Sequence, residues 1–152
     1  MLIDRRTVIL GAATLAAVTT ADSATPDATE LQMNLPTERV LGIGGLFFRS
    51  RDPKKLAQWY QANLGIDHQV WHQAAGATAF TPFPMNTDYF GSEQQAWMVN
   101  FRVRSLDAMV AQLQKASIEV KVDPQKSPYG RFARLHDPEG NPIELWEPAS
   151  PA

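Results

Sequence analysis

Three histidines, His68, His72 and His136, are the imidazoles of this chain, and no cysteine accompanies them. A thiolate metal site, a cysteine nucleophile and a disulfide scaffold are therefore excluded. His68 and His72 lie four residues apart. On an extended strand they share a side but stand about two pleats from each other, too far to chelate one ion without a bend, so they read as surface or pocket-rim residues. No G-x-S-x-G marks a serine triad, and Leu41-Gly42-Ile43-Gly44-Gly45 is not followed by the Lys-Ser or Lys-Thr of a phosphate loop. The other candidate groups recur as a pair. Phe48-Arg49-x-Arg51 and Phe101-Arg102-x-Arg104 superpose at an offset of 53 residues.

The elements that carry this pair repeat as well. Each tetrapeptide closes an apolar stretch of strand length, residues 40–48 and 96–103, and each is followed by an N-cap candidate, Asp52 or Ser105, and a helical pattern. In the first helix Pro53 takes the N1 position, Leu56, Tyr60 and Leu64 recur on one face, and Gly65 supplies a left-handed stop. In the second, Leu106, Met109 or Val110, Leu113 and Ala116 do the same. Shorter extended pieces follow at 68–72 and 78–81, then at 118–122, 131–135 and 143–146. Asp137-Pro138-Glu139-Gly140-Asn141 is a chain reversal. The second half thus reads strand-helix-strand-strand-strand, and the first is an abbreviated copy.

The run His136-Asp137-Pro138-Glu139-Gly140-Asn141-Pro142-Ile143-Glu144-Leu145 resembles the closing DP-x-G-N-x-I-E-L strand pair of the vicinal oxygen chelate superfamily. That family includes glyoxalase I, extradiol dioxygenases, fosfomycin resistance proteins and bleomycin-binding proteins. Asp52 through Gly65 is similar to the family's first helix, which ends in Leu-Gly. The resemblance implies an α+β fold, two βαβββ modules (the first abbreviated) forming a glyoxalase-like curved mixed sheet around a cleft.

Metal enzymes of that family place one ligand on each of several strands, so that a divalent ion can chelate two neighbouring substrate oxygens. Carried over by position, the last-strand ligand falls on Glu144, the ligand of the second opening strand on Met98 and that of the first on Gly45. Glycine offers no donor and a thioether suits soft ions. Glu144 is thus the family metal position retained. The expected protein works without a cofactor, with Glu144 as a hydrogen-bonding or general-base carboxylate in a pocket or a structural carboxylate at a strand end. The alternative is a divalent metal ion held by Glu144 and histidines. His136 is an acid/base partner for Glu144 only if the strand register brings them together.

Strand alternation sorts the faces. Val99, Phe101 and Val103 form an apolar row that packs under the helices, which turns Met98, Asn100 and Arg102 to the cleft; Phe47 shares a face with Arg49, and Glu144 with Trp146. A cleft lined by Phe47, Met98 and Trp146, with Arg49, Arg102, Asn100 and Glu144, suits a small, partly aromatic ligand carrying an anionic or carbonyl group. The plainer reading pairs Arg49 and Arg102 with nearby carboxylates. Asp88-Tyr89-Phe90-Gly91 and Ser127-Pro128-Tyr129-Gly130-Arg131 combine aromatics with glycine, as a ligand lid or as turn-stabilising rings.

Residues 1–24 read as an export signal: Arg5-Arg6 precedes an apolar run over 8–18 too short to span a bilayer, and cleavage after Ala21 fits small-x-small. The order resembles a twin-arginine signal, although Asp4 stands where Ser or Thr is usual; an ordinary secretory signal and an uncleaved amphiphilic terminus are the other readings. Residues 25–38 are a linker, 39–148 the glyoxalase-like domain and 149–152 a tail. With 14 basic against 16 acidic residues there is no basic stripe for nucleic acid. The expectation is a periplasmic or secreted glyoxalase/bleomycin-resistance-like protein that binds a small molecule, has no membrane contact after cleavage, and pairs as a homodimer. The alternative is a lyase, isomerase or dioxygenase of the same superfamily acting on a small oxygen-bearing substrate.

Overall fold

The computed structural model describes residues 38, 40–67, 69–125 and 127–149. The expected export signal over residues 1–24 and most of the expected linker over 25–38, like His68, lie outside the described residues. The chain divides into two units between Arg49 and Ser50, and every helix and strand described belongs to the unit from Ser50 onward.

The first helix, α1 (Pro53–Leu64), starts where Asp52 accepts a hydrogen bond from the Lys55 backbone N–H, has proline in its first turn, and ends on Gly65 at φ 68°. Then come β1 (Val99–Arg102), α2 (Leu106–Lys115, capped by Ser105), β2 (Lys121–Val122), β3 (Gly130–His136) and β4 (Pro142–Pro148). The sheet order is β1-β4-β3-β2, with β1 parallel to β4 and the other neighbours antiparallel. This is an α+β fold with a mixed four-stranded sheet, and β1-α2-β2-β3-β4 is the strand-helix-strand-strand-strand unit expected of the second half.

In the first half the helix forms as expected, whereas residues 40–48 and 78–81 and the described residues 69–72 make no strand. The cause is local. An apolar run becomes a strand only when its N–H and C=O groups meet a second chain segment, and Gly42, Gly44 and Gly45 weaken the one stretch while Pro82 and Pro84 remove donors beside the other. The second opening strand also contracts, from 96–103 to Val99–Arg102.

Both helices cover one face of the sheet. Leu56 and Tyr60 from α1, and Leu106, Val110 and Leu113 from α2, bury themselves with Ala133, Leu135, Ile143 and Leu145; Val99, Phe101 and Val103 pack against that cluster. Each such aliphatic side chain contributes about 1.5–3 kcal/mol through burial.

The β3–β4 turn also anchors α1. Buried Asp137 accepts from the backbone N–H groups of Glu139 (2.8 Å) and Asn141 (2.9 Å), from Asn141 Nδ2 (2.7 Å) and from Tyr60 Oη (3.0 Å). Glu139 accepts from Ser50 Oγ and from the backbone N–H groups of Arg51 and Asp52 at 2.8–3.0 Å. The acidic residues of the motif are therefore engaged in holding the turn to the helix.

Candidate functional site

The face of the sheet turned away from the helices carries one polar row that crosses all four strands. Asn100 on β1 stands opposite Glu144 on β4, Glu144 opposite Arg134 on β3, and Arg134 opposite Lys121 on β2. Residues directly opposite in a ladder point to the same face, so the row is one array.

Glu144 is its centre and is only 2% exposed. A buried carboxylate needs donors around it, and three are in place. Asn100 Nδ2 donates to Oε2 at 2.9 Å, Tyr89 Oη donates to Oε1 at 3.0 Å, and Arg134 Nε reaches Oε1 at 3.4 Å. Tyr89 comes from the aromatic loop flagged by its glycine. Its ring stacks on Phe83 with centroids 4.7 Å apart and lies 4.3 Å beneath the Arg134 guanidinium carbon. Burial, reinforced by the Glu144 charge, pushes the Tyr89 phenol up to about 12.

Glu144, Asn100 and Tyr89 open on a concavity of about 380 Å³ walled by Pro82, Phe83, Trp97 and Met98. A second one, about 390 Å³, runs along Arg134, Lys121 and His136 and shares Phe90 and Met98 with the first. Space of this size with apolar walls and a few fixed polar groups is what small-molecule sites require.

The residues singled out from sequence divide. Glu144, Asn100 and Met98 come together at the first concavity. Arg102 lies on the same strand face as Asn100, but its guanidinium donates to the backbone carbonyls of Ala74 (2.6 Å) and Ala77. Trp146 is stacked flat on Phe132 and donates through Nε1 to the Tyr129 carbonyl at 2.8 Å, so it braces the turn that leads into β3. His136 pairs with Pro142 rather than Glu144 and is exposed, and His72 is exposed too. Phe47 and Arg49 belong to the other unit, where Phe47 is 94% exposed.

Sequence alternation alone did not single out Arg134 or Tyr89. The signal for Arg134 is arithmetic on the turn. Because Asp137 and Asn141 close it, with the Asp137 N–H donating to the Asn141 carbonyl at 3.0 Å, counting outward pairs His136 with Pro142 and Arg134 with Glu144.

The residues do not fit the divalent-ion centre of the vicinal oxygen chelate enzymes. The Glu144 oxygens face three donors, one of them a guanidinium, and no group of three His, Cys, Asp or Glu side chains among the described residues is placed to hold a metal. A cation beside Arg134 would meet like charge, and hard ions need oxygen or imidazole donors that Met98 and Gly45 do not supply.

No family model matches the chain, and no curated protein matches it. Solved structures do. The chain is 33% identical to a glyoxalase/bleomycin resistance protein from Streptomyces sp. CB03234 over 35% of this chain and 46% of that one, with a TM-score of 0.31. It is 31% identical to a putative glyoxalase family protein from Bacillus anthracis over 36% and 43% respectively, TM-score 0.32. Against TnmS3, an antibiotic binding protein from Streptomyces sp. CB03234, the values are 25% identity, 64% and 88% coverage and a TM-score of 0.44. The chain spans less than half the length of the first two.

Proposed function

We propose that the chain is an exported, metal-independent binding protein of the glyoxalase/bleomycin-resistance type that takes a small, flat aromatic molecule into the Glu144 concavity. The observation that carries this is the pairing of aromatic and apolar walls, Phe83, Tyr89, Trp97 and Met98, with a buried carboxylate whose oxygens are already engaged by Tyr89, Asn100 and Arg134. Binding is favoured over acid/base turnover for the same reason. A general base needs an oxygen free to take a proton, the neighbouring phenol is held protonated, and His136 lies out of register with Glu144.

Export rests on Arg5-Arg6 and the apolar run behind them, and the family type on the Asp137-to-Leu145 motif. Pairing of two copies along the sheet edges, β1 or β2, is part of the same proposal. Sedimentation of the mature protein as a monomer at micromolar concentration would remove it.

The test uses the mature protein purified without chelator and the neutral probe naphthalene-1-carboxamide. Saturable binding that quenches tryptophan fluorescence, survives EDTA and weakens in a Met98→Asp variant is expected. Near-stoichiometric metal that a Glu144→Ala variant loses would overturn the metal-independent reading, and absence of saturable binding of any aromatic probe would overturn the binding function.

A further inference from the structure

The guanidinium of Arg134 is incompletely answered by the protein around it. Its Nε makes a long bond to Glu144 at 3.4 Å, and its Nη2 is buried with no acceptor among the described residues. A buried charged donor without an acceptor has given up its hydration with nothing in return, so such an atom calls for an acceptor that arrives from outside. Its neighbour across the ladder is a second cation, Lys121, whose ammonium is 3.6 Å from Glu119 and largely exposed. Both basic side chains line the 390 Å³ concavity, which joins the aromatic one at Phe90 and Met98.

We propose that Arg134 receives the anionic group of the ligand: the molecule bound is an aromatic acid whose carboxylate accepts from Arg134 Nη2 while its ring lies among Phe83, Trp97 and Met98. This rests on the reading that the Glu144 concavity binds a small aromatic molecule, and it names the chemical class. The planar guanidinium fork suits a carboxylate, and a charge-assisted bond is about twice as strong as a neutral one. Asn100 and Tyr89 keep Glu144 satisfied from its other side, so the Glu144 carboxylate does not need the whole guanidinium. Tyr89 covers one face of the guanidinium; the N–H donors lie in the guanidinium plane, so the ligand carboxylate meets the edge of the fork while Tyr89 stays in place.

The experiment compares naphthalene-1-carboxylate with its neutral isostere naphthalene-1-carboxamide on the mature protein by equilibrium titration. The carboxylate is expected to bind about tenfold more tightly, as one charge-assisted bond allows. In Arg134→Gln the ratio of the two affinities, which cancels any change common to both probes, falls to about unity. Equal affinity of the two probes for the unmodified protein, or a preference that survives Arg134→Gln, overturns this inference and leaves the binding function standing. Failure of both probes overturns the two together. Should Arg134→Gln not fold, Arg134→Lys, which keeps the charge but removes the Nη2 donor, replaces it, and a preference undiminished in that variant overturns the proposal.

Discussion

At the scale of single residues, the hydroxyl of Tyr89 links the aromatic loop to the buried carboxylate. Because the folded protein raises this phenol to about 12, its stabilising contribution is complete below the ordinary tyrosine value and is lost as pH rises through about 12. Tyr89→Phe is therefore expected to flatten part of the alkaline limb of the stability profile. It also lowers stability at neutral pH by about 1–3 kcal/mol, because Glu144 loses a donor. Denaturant melts at pH 7 and above pH 10 check both, and an unchanged alkaline limb would mean that Tyr89 does not bond Glu144 in solution. Asn100 and Met98 were legible in the sequence because strand parity sorts faces, and Glu144 because of its place in the motif that resembles the family's closing strand pair. Arg102 and Trp146 were placed on faces by the same parity, but the carbonyls of Ala74, Ala77 and Tyr129 that engage them come from irregular segments that no periodicity encodes.

At the scale of elements, the helices were legible almost to the residue, since Asp52, Pro53, Gly65 and Ser105 are caps whose chemistry is local. The strands of the first half were not, because a strand exists only with its partner and apolar content does not supply one. Within the sheet, Gly130 is the position that tolerates least. Its φ is +127°, and a Cβ there would lie 2.0 Å from the Glu147 carbonyl oxygen on the paired strand. Gly130→Ala is expected to cost on the order of 1–3 kcal/mol in backbone strain, plus whatever separation of β3 from β4 the clash forces. A melting temperature within a degree of the parent would contradict that pairing. The turn ahead of β4 gives the opposite pH signature to Tyr89. Backbone donors from Arg51 and Asp52 hold the Glu139 carboxyl below its ordinary value, so its contribution is present above the unfolded carboxylate value and is lost as pH falls through the lower folded one. Glu139→Gln is expected to lower stability at pH 8, where the charged carboxyl contributes, and to leave it little changed below the folded carboxyl value, so that the acid limb is shallower; equal acid limbs in the two proteins would place Glu139 free in solution.

At the scale of the whole molecule, composition and signal point the same way about where the fold is completed. The core is built from aliphatic and aromatic side chains between Leu56 and Leu145, and with no cysteine in the chain nothing in it waits for an oxidising compartment. Folding can therefore be complete in a reducing compartment, as the proposed twin-arginine export requires and the unfolded-chain secretory route forbids. The expected outcome is that Arg5→Lys with Arg6→Lys traps a folded, unprocessed precursor inside the cell, while the parent chain appears outside it, shortened after Ala21. Mass spectrometry of both fractions, with the naphthalene titration run on the trapped precursor, separates the possibilities. Precursor that binds the probe as the mature protein does shows folding ahead of transport, whereas export unaffected by the paired substitution removes the twin-arginine route and leaves ordinary secretion. Since the charge change is nil and the substituted positions lie far in sequence from Glu144, any loss of probe binding in the precursor would argue instead that the N-terminal segment itself acts on the site.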